Sequence, residues 1–456
     1  MKKRFLVVPL AVGAAGASWA GTTLYGGAEA REAYDRLLVD MGEASGLTLV
    51  PHAYEAGFLE SEAVTELVIG AGDDAVPLAR FRHAIEHSPI GGEGIRAARI
   101  VTTLDTGELD PEARAGLERL FGDAAPFTID STIGLGGDAE HVVTVGAWRH
   151  EMPTGGSVAS EPMAWTVHRA ADGAVSGTGG WPGLTASFAP DDGPGGKIVL
   201  GASHDRFDYR PTGDGLWVGD YAAELGDLTA RSIDTGMSAS FSGTSLVSDA
   251  EIVDGIYRGG MELRVDAVDV PVIELDSLRF HAGFDGMPTS GLAGVIEAGD
   301  AFDAAAFVED EAAIKAALAA YVDTLGALLR PGLGVDYGLE LANAGGRALA
   351  ASMVSWAGGR GGGGLADLDT VGDLVGAVRA SATLDVDAGA LERTPFAMFV
   401  NPASLAPWVV GDAEGLRSEI VVEDLVATVN GRAMPLEAFF GDALGAPLES
   451  LFDESI

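Results

Sequence analysis

Between Pro126 and about Asp300 the chain alternates apolar and polar residues, with Gly or Asp turns roughly every 8–12 residues. "HVVTVGAW" (141–148), "GKIVLGASHDRFDYR" (196–210), "MELRVDAVDV" (261–270) and "VIELDSLRFHAGF" (272–284) all carry it. A period of two puts successive side chains on opposite faces of an extended strand, and a helix cannot gather such a pattern on one side. The stretch therefore predicts long antiparallel strands joined by hairpins. The 65 glycines among 456 residues suit a chain with many turns and bulges, and 47% hydrophobic residues suffice for a large core.

Residues 28–45 predict a helix, with Tyr34, Leu37, Leu38 and Met41 on one stripe. A strand starts at Leu47, Gly57 marks a turn, and "SEAVTELVIG" (61–70) returns as a second strand. Asp110-Pro111 opens a short helix that ends at Gly122. Ile314, Leu318, Tyr321, Val322, Leu325 and Leu329 form one face of a longer helix over 310–330, stopped by Pro331. "YGLELANAGGRALAASMVSW" (337–356) reads as a hairpin, "GGRGGGG" (358–364) as a loop and "AVRASATLDVD" (377–387) as a strand. Asn430-Gly431 is a strong two-residue hairpin signal, and Leu436, Phe439 and Phe440 open a terminal helix. No short-period repeat of the solenoid kind is visible. The expected fold class is α+β and β-rich: an extended curved antiparallel sheet with packed helices 28–45 and 310–330, and an N-terminal membrane anchor. The expected segments are 1–25 (anchor or signal), 26–299 (β-rich body with its first helix) and 300–456 (helix, hairpins and closing helix).

Charge narrows the partners. Asp and Glu number 68 against 28 Lys and Arg, a net charge of -40. Nucleic acid needs basic patches, so it is excluded as a partner, and anionic head groups suit the body no better. The lysines are Lys2, Lys3, Lys197 and Lys315, and the acidic residues spread along the chain as a solvated surface. Cysteine is absent, so disulfides and thiolate metal sites are excluded.

The chain opens "MKKRFLVVPLAVGAAGASWAGTTLYGG". A basic cap precedes an uncharged stretch from Phe5 to Tyr25, just long enough to cross a hydrocarbon core of ~30 Å. The positive-inside rule then puts the body in the periplasm. The same residues also fit a cleaved signal peptide, with small residues at Ser18 and Ala20. Both readings give export.

Candidate chemistry is sparse. "HAIEH" (83–87) has the H-x-x-E-H spacing of inverted zinc proteases, which makes His83, Glu86 and His87 candidate metal ligands. That site needs a helix. Here Phe81, His83, Ile85 and His87 alternate with Arg82, Ala84 and Glu86 as in a strand. At ~3.3 Å per residue the two imidazoles would stand ~13 Å apart, too far to share an ion. Ser203-His204-Asp205 places triad residue types side by side, where strand geometry points them to opposite faces. "GGRGGGG" lacks the Lys-Ser/Thr of a phosphate loop, and "DVDAG" (385–389) lacks the remaining ligands of a calcium loop. No residue is assigned a catalytic role and no motif calls for a cofactor or a metal.

The order of several segments resembles the YdgA family of Gram-negative envelope proteins. The resemblance rests on the basic N-terminus with Trp19, Tyr25 and Gly27, then "EAREAYDRLL", "YEAGFLESEAVTELVI" and "IEHSPI". It continues through "ARIVTTLD", "FTIDSTIGLGGD", "LDSLRFHAGFDG" and the tail "VNGRAMPLEAFFG". Ser88 stands where the family has Gly in a His-Gly-Pro element. The resemblance implies a retained inner-membrane anchor, a periplasmic body and self-association as a homodimer. It supplies no catalytic residues. The function expected is a non-enzymatic envelope module that binds a lipid or a partner protein. The alternatives are a metal-dependent hydrolase using the "HAIEH" segment and a dimeric scaffold paired through helix 310–330.

Overall fold

The computed structural model describes residues 47–448 apart from 57–59, 70–75, 87–89, 92–93, 96–97, 108, 110, 135, 154, 189–194, 214, 272, 308–310, 359–367 and 393–406. The N-terminal segment and the expected helix 28–45 lie outside the described residues. Two compact units emerge: residues 1–211 with 300–315, and residues 212–299 with 316–456.

The first unit is built on nine strands that pair antiparallel in chain order. They are β1 Leu47–Ala56, β2 Glu60–Ile69, β3 Val76–Glu86, β4 Ala98–Leu104 and β5 Phe127–Ile133. Then come β6 Ala139–Val145, β7 Met163–Arg169, β8 Val175–Trp181 and β9 Ser203–Pro211. Each pairs with the next in an antiparallel ladder. Helix α1, Pro111–Phe121, links β4 to β5, with Pro at its first position as expected and Gly122 closing it at φ 61°.

The second unit repeats the plan. Its main strands are β10 Trp217–Leu225, β11 Thr244–Val253, β12 Ile256–Val265, β13 Ser277–Pro288 and β14 Gly334–Asn343. They continue as β15 Gly346–Trp356, β16 Val378–Asp387, β17 Gly415–Glu423, β18 Val426–Val429 and β19 Arg432–Pro435. These too pair antiparallel in chain order. The expected hairpins at 337–356 and at Asn430-Gly431 are both present, the latter with φ 50° and 78° at its two turn residues.

A repeat that the sequence hides appears between Ala139 and Pro288. Four long hairpins begin at Ala139, Val175, Trp217 and Ile256, spaced 36, 42 and 39 residues apart. Each carries its outer half into a second sheet. In the first unit the tip strands are 148–151 with 157–160, and 184–188 with 196–200. In the second they are 228–232 with 238–242, and 267–270 with 273–275. The outgoing arms bend at Gly146-Ala147, Pro182-Gly183, Gly226-Asp227 and Asp266, residues that interrupt a ladder cheaply. Tight turns of one kind close β5–β6, β7–β8 and the first tip. Their first residue donates its N–H to the carbonyl four residues on, as Ala170 does to Ala174 at 2.8 Å. The fourth residue is a glycine in the left-handed region: Gly137, Gly155 and Gly173, at φ 85–88°.

Two helices sit inside the β13–β14 hairpin, α2 Thr289–Phe307 and α3 Glu311–Leu328. The second matches the expected helix. The first corrects the expectation that β structure runs to about Asp300. Glu297, Asp300 and Asp303 recur every third residue, but the Ala- and Gly-rich sequence between them gives little contrast to either period. Gly294 lies against the Thr324 methyl, which lets the two helix backbones come close.

Glycines inside the sheet are covered by rings from the residue directly opposite. Phe207 lies over Gly177, Trp165 over Gly179, Phe284 over Gly259 and His281 over Gly338. The ring replaces packing that a bare strand glycine forfeits. Trp165 reaches across Gly179 to donate its Nε1–H to Asp205 at 3.2 Å. A Cβ at position 179 would fall within the indole and against the Asp205 carboxylate. Gly179→Ala should therefore cost about 1–3 kcal/mol by chemical denaturation. Gly213→Ala, with open space around it, should stay within about 0.5 kcal/mol. Equal effects would contradict the ring-on-glycine packing.

Candidate functional site

Strand β3 settles the geometry of "HAIEH". His83 points into the first unit's core and is 4% exposed. Glu86, three residues on, points to the other face, with Oε1 4.0 Å from an Arg99 nitrogen. The two side chains do not converge, and His87 lies outside the described residues. Among the described residues no three His, Asp or Glu side chains gather as a metal site would require.

His83 is held instead by hydroxyls. Thr65 Oγ1 lies 2.5 Å from Nε2 and Thr102 Oγ1 lies 2.9 Å from Nδ1. Both threonines are buried on neighbouring strands, β2 and β4. One imidazole nitrogen donates and the other accepts, so the neutral ring is satisfied on both sides. His141 on β6 occupies a similar place. Its Nδ1 pairs with Ser131 Oγ at 2.8 Å, and its Nε2 is buried without a partner. These groups share the inward face with Phe81, Ile85, Ile100, Phe127, Ile129 and Val143. They form a polar seam in an otherwise apolar core.

Ser203, His204 and Asp205 sit on β9 and do not form a triad. Ser203 and Asp205 share one face and His204 takes the other, as period two requires. Burial raises the Asp205 carboxyl, against the opposing pull of the Trp165 hydrogen bond and the His204 charge. Asp385 pairs with Arg417 at 3.5 Å, and Asp387 accepts the Arg347 N–H at 2.8 Å. Of the glycine loop, 359–364 lies outside the described residues.

The second unit presents two opposite chemistries on its two faces. One face carries Glu262, Arg279, Glu340 and Arg347, with Arg258, Asp285, Arg379 and Glu423 beside them. Their cross-strand ion pairs include Arg258–Asp285 at 2.6 Å, Arg279–Glu262 at 2.5 Å and Arg379–Glu423 at 2.8 Å. The other face, followed by register from β10 to β18, holds no charged side chain at all. One row across it runs Tyr221, Ser248, Met261, Ala282, Tyr337 and Ser352. The next runs Ala223, Leu246, Leu263, Phe280, Leu339 and Ala350. This face is buried toward Trp356, Val386 and Leu416 but open in the middle. Met261 is 41% exposed, Tyr337 47%, Leu339 38% and Val354 45%. An uncharged face with several open apolar side chains is a candidate binding surface.

Fold and surface together define a β-rich protein made of serial hairpins, with one unit carrying an uncharged, half-open sheet face. The chain belongs to a bacterial family of proteins of unknown function, DUF945, which matches residues 1–437. No curated protein and no solved structure matches it.

The buried histidines give a pH signature. Burial lowers His83 from 6.5 to about 4. Burial, with Arg169 and His168 nearby, lowers His141 to about 4 as well. An unfolded histidine takes up its proton first as pH falls, so stability is whole above about 6.5 and drains away toward 4. The loss should approach roughly 3 kcal/mol per histidine. Denaturant midpoints between pH 7 and 4 measure it, and His83→Gln, which keeps hydrogen bonding without titrating, should flatten the slope. An unchanged slope would remove His83 from the account.

Proposed function

We propose that this chain is a YdgA-like protein of the bacterial envelope that acts without catalysis, as a binding module. Its basic cap and uncharged stretch from Phe5 to Tyr25 hold it in the inner membrane, and its body faces the periplasm. Among the described residues no helix is long and apolar enough to cross a membrane. The observation that carries the binding role is the second unit's uncharged face, with Met261, Tyr337, Leu339 and Val354 open at its centre. Water in contact with such a surface is a standing cost, which an apolar occupant relieves at roughly 25 cal/mol per Å² covered. The charged opposite face keeps the sheet soluble on its other side. Among the described residues candidate chemistry does not assemble: His83 faces the core, Glu86 faces away, and the Ser-His-Asp run splits across two faces.

Two measurements test this. A tag after Ile456 should be digested by protease added to spheroplasts and protected in intact cells; protection in spheroplasts would put the body on the wrong side. An uncharged apolar dye should brighten on the full chain and lose more than half its signal with Leu339→Asp or Tyr337→Asp. Val247→Asp, on the charged face at 48% exposure, should leave it unchanged. A dye signal indifferent to Leu339→Asp would contradict the binding face.

A further inference from the structure

We infer that the occupant of this face is the acyl chain of a zwitterionic phospholipid, lying along β15 and β16. The inference rests on the binding role proposed above and names its ligand. On β15 the face carries Ala348, Ala350 and Ser352, and the adjoining β16 carries Ala380 and Ala382. These short side chains form a low strip beside Tyr337 and Leu339, which stand up from β14 at 47% and 38% exposure. From Ala348 to Ser352 the strip runs about 13 Å along the strand, and Val354 stands at its end. Most of one leaflet's acyl chain, half of a ~30 Å core, fits that length.

The chemistry of the strip selects hydrocarbon over peptide. Strands β14, β15 and β16 are each paired on both sides, so their backbone N–H and C=O groups are spent in the ladder. The face offers an occupant almost nothing but carbon and a few hydroxyls. A peptide laid there would bring its own N–H and C=O groups and find no partners for them, whereas an acyl chain brings none. Charge narrows the lipid further. The protein has a net charge of -40, and the face holds no cation to meet a carboxylate or an anionic head group. A free fatty acid would leave its carboxylate unmatched beside an acidic protein. A zwitterionic phospholipid can keep its head group in water beyond the end of the strip.

The test uses the full chain in an amphipathic polymer and vesicles of phosphatidylcholine bearing a fluorescent acyl chain. The labelled lipid should transfer to the protein and bind at least tenfold more tightly than the matching labelled fatty acid. Ala350→Phe and Ala382→Phe fill the strip from two different strands without adding charge. Each should weaken lipid binding at least tenfold while leaving the melting curve in place. Val421→Asp, on the charged face, should change nothing. Apolar-dye binding without lipid binding would overturn the phospholipid inference and leave the broader binding role standing. The same holds if the face pairs two copies, seen as a dimer that Ala350→Phe dissociates. Tighter binding of the fatty acid would also overturn it. Loss of both dye and lipid binding would remove the inference together with the role it rests on.

Discussion

The rest of the structure depends on one constraint: within each unit, nearly every main strand pairs with its neighbour in the chain. Tight turns fix some registers, as at 254–255, 344–345 and 424–425, while longer connections such as 289–333 leave the register to the hydrophobic pattern; a slip of one residue would turn every side chain of that strand to the wrong face. Where the ladder does shift, as between Leu67 and Val68 on β2, the irregularity is local and pairing resumes. The alternation written into each strand is thereby added up across the sheet. Nine strands in one unit and ten in the other keep their apolar sides together because the opposite register would turn polar side chains inward and apolar ones outward. The ring-covered glycines belong to the same logic. A bare glycine would weaken the ladder, and a ring from the facing residue restores packing without changing register.

The same construction yields two different inner faces. In the first unit the face is closed and carries a seam of hydroxyls around His83 and His141. Such a network costs stability if it is left half-satisfied, and it favours one register because Thr65, His83 and Thr102 meet only when three strands align. In the second unit the face has no charge and is open at its centre, where exposed carbon has no structural purpose. The ion pairs on the opposite side are exposed and contribute little to stability, on the order of 0–1 kcal/mol each. Their consequence is a charged side opposite the uncharged one.

Much of the fold was legible where one element's own residues decide it. Asn430-Gly431 announced its turn, Pro111 its helix start, and the alternation through 81–86 its strand, which was enough to separate His83 from Glu86. What stayed hidden depended on partners far away in the chain. Helix α2 is so rich in Ala and Gly that its few acidic residues, Glu297, Asp300 and Asp303, give little contrast to either period. The turn at Asp424-Leu425, with φ 51° and 63°, uses no glycine and gave no signal. The four bent hairpins could not be read because their tip strands are only three to five residues long and differ in sequence. Thr65 and Thr102 stand 18 and 19 residues from His83, and only the register brings them to its ring. The uncharged face is the extreme case: alternation shows that each strand has an apolar side, but not that those sides coincide from Tyr221 to Ile420.

Under the proposed role the apolar side of the second unit's sheet meets lipid while the charged side meets water. A chain without cysteine permits a direct measurement: single cysteines placed along β14, each carrying a spin label, with the full chain in a phosphatidylcholine bilayer. Collision with oxygen, concentrated in hydrocarbon, is compared with collision with a water-soluble nickel chelate. Labels at Val335, Tyr337 and Leu339 should favour oxygen, and labels at Asp336, Glu340 and Ala342 should favour the chelate. Six positions without that two-residue alternation, or with its sense reversed, would contradict the account.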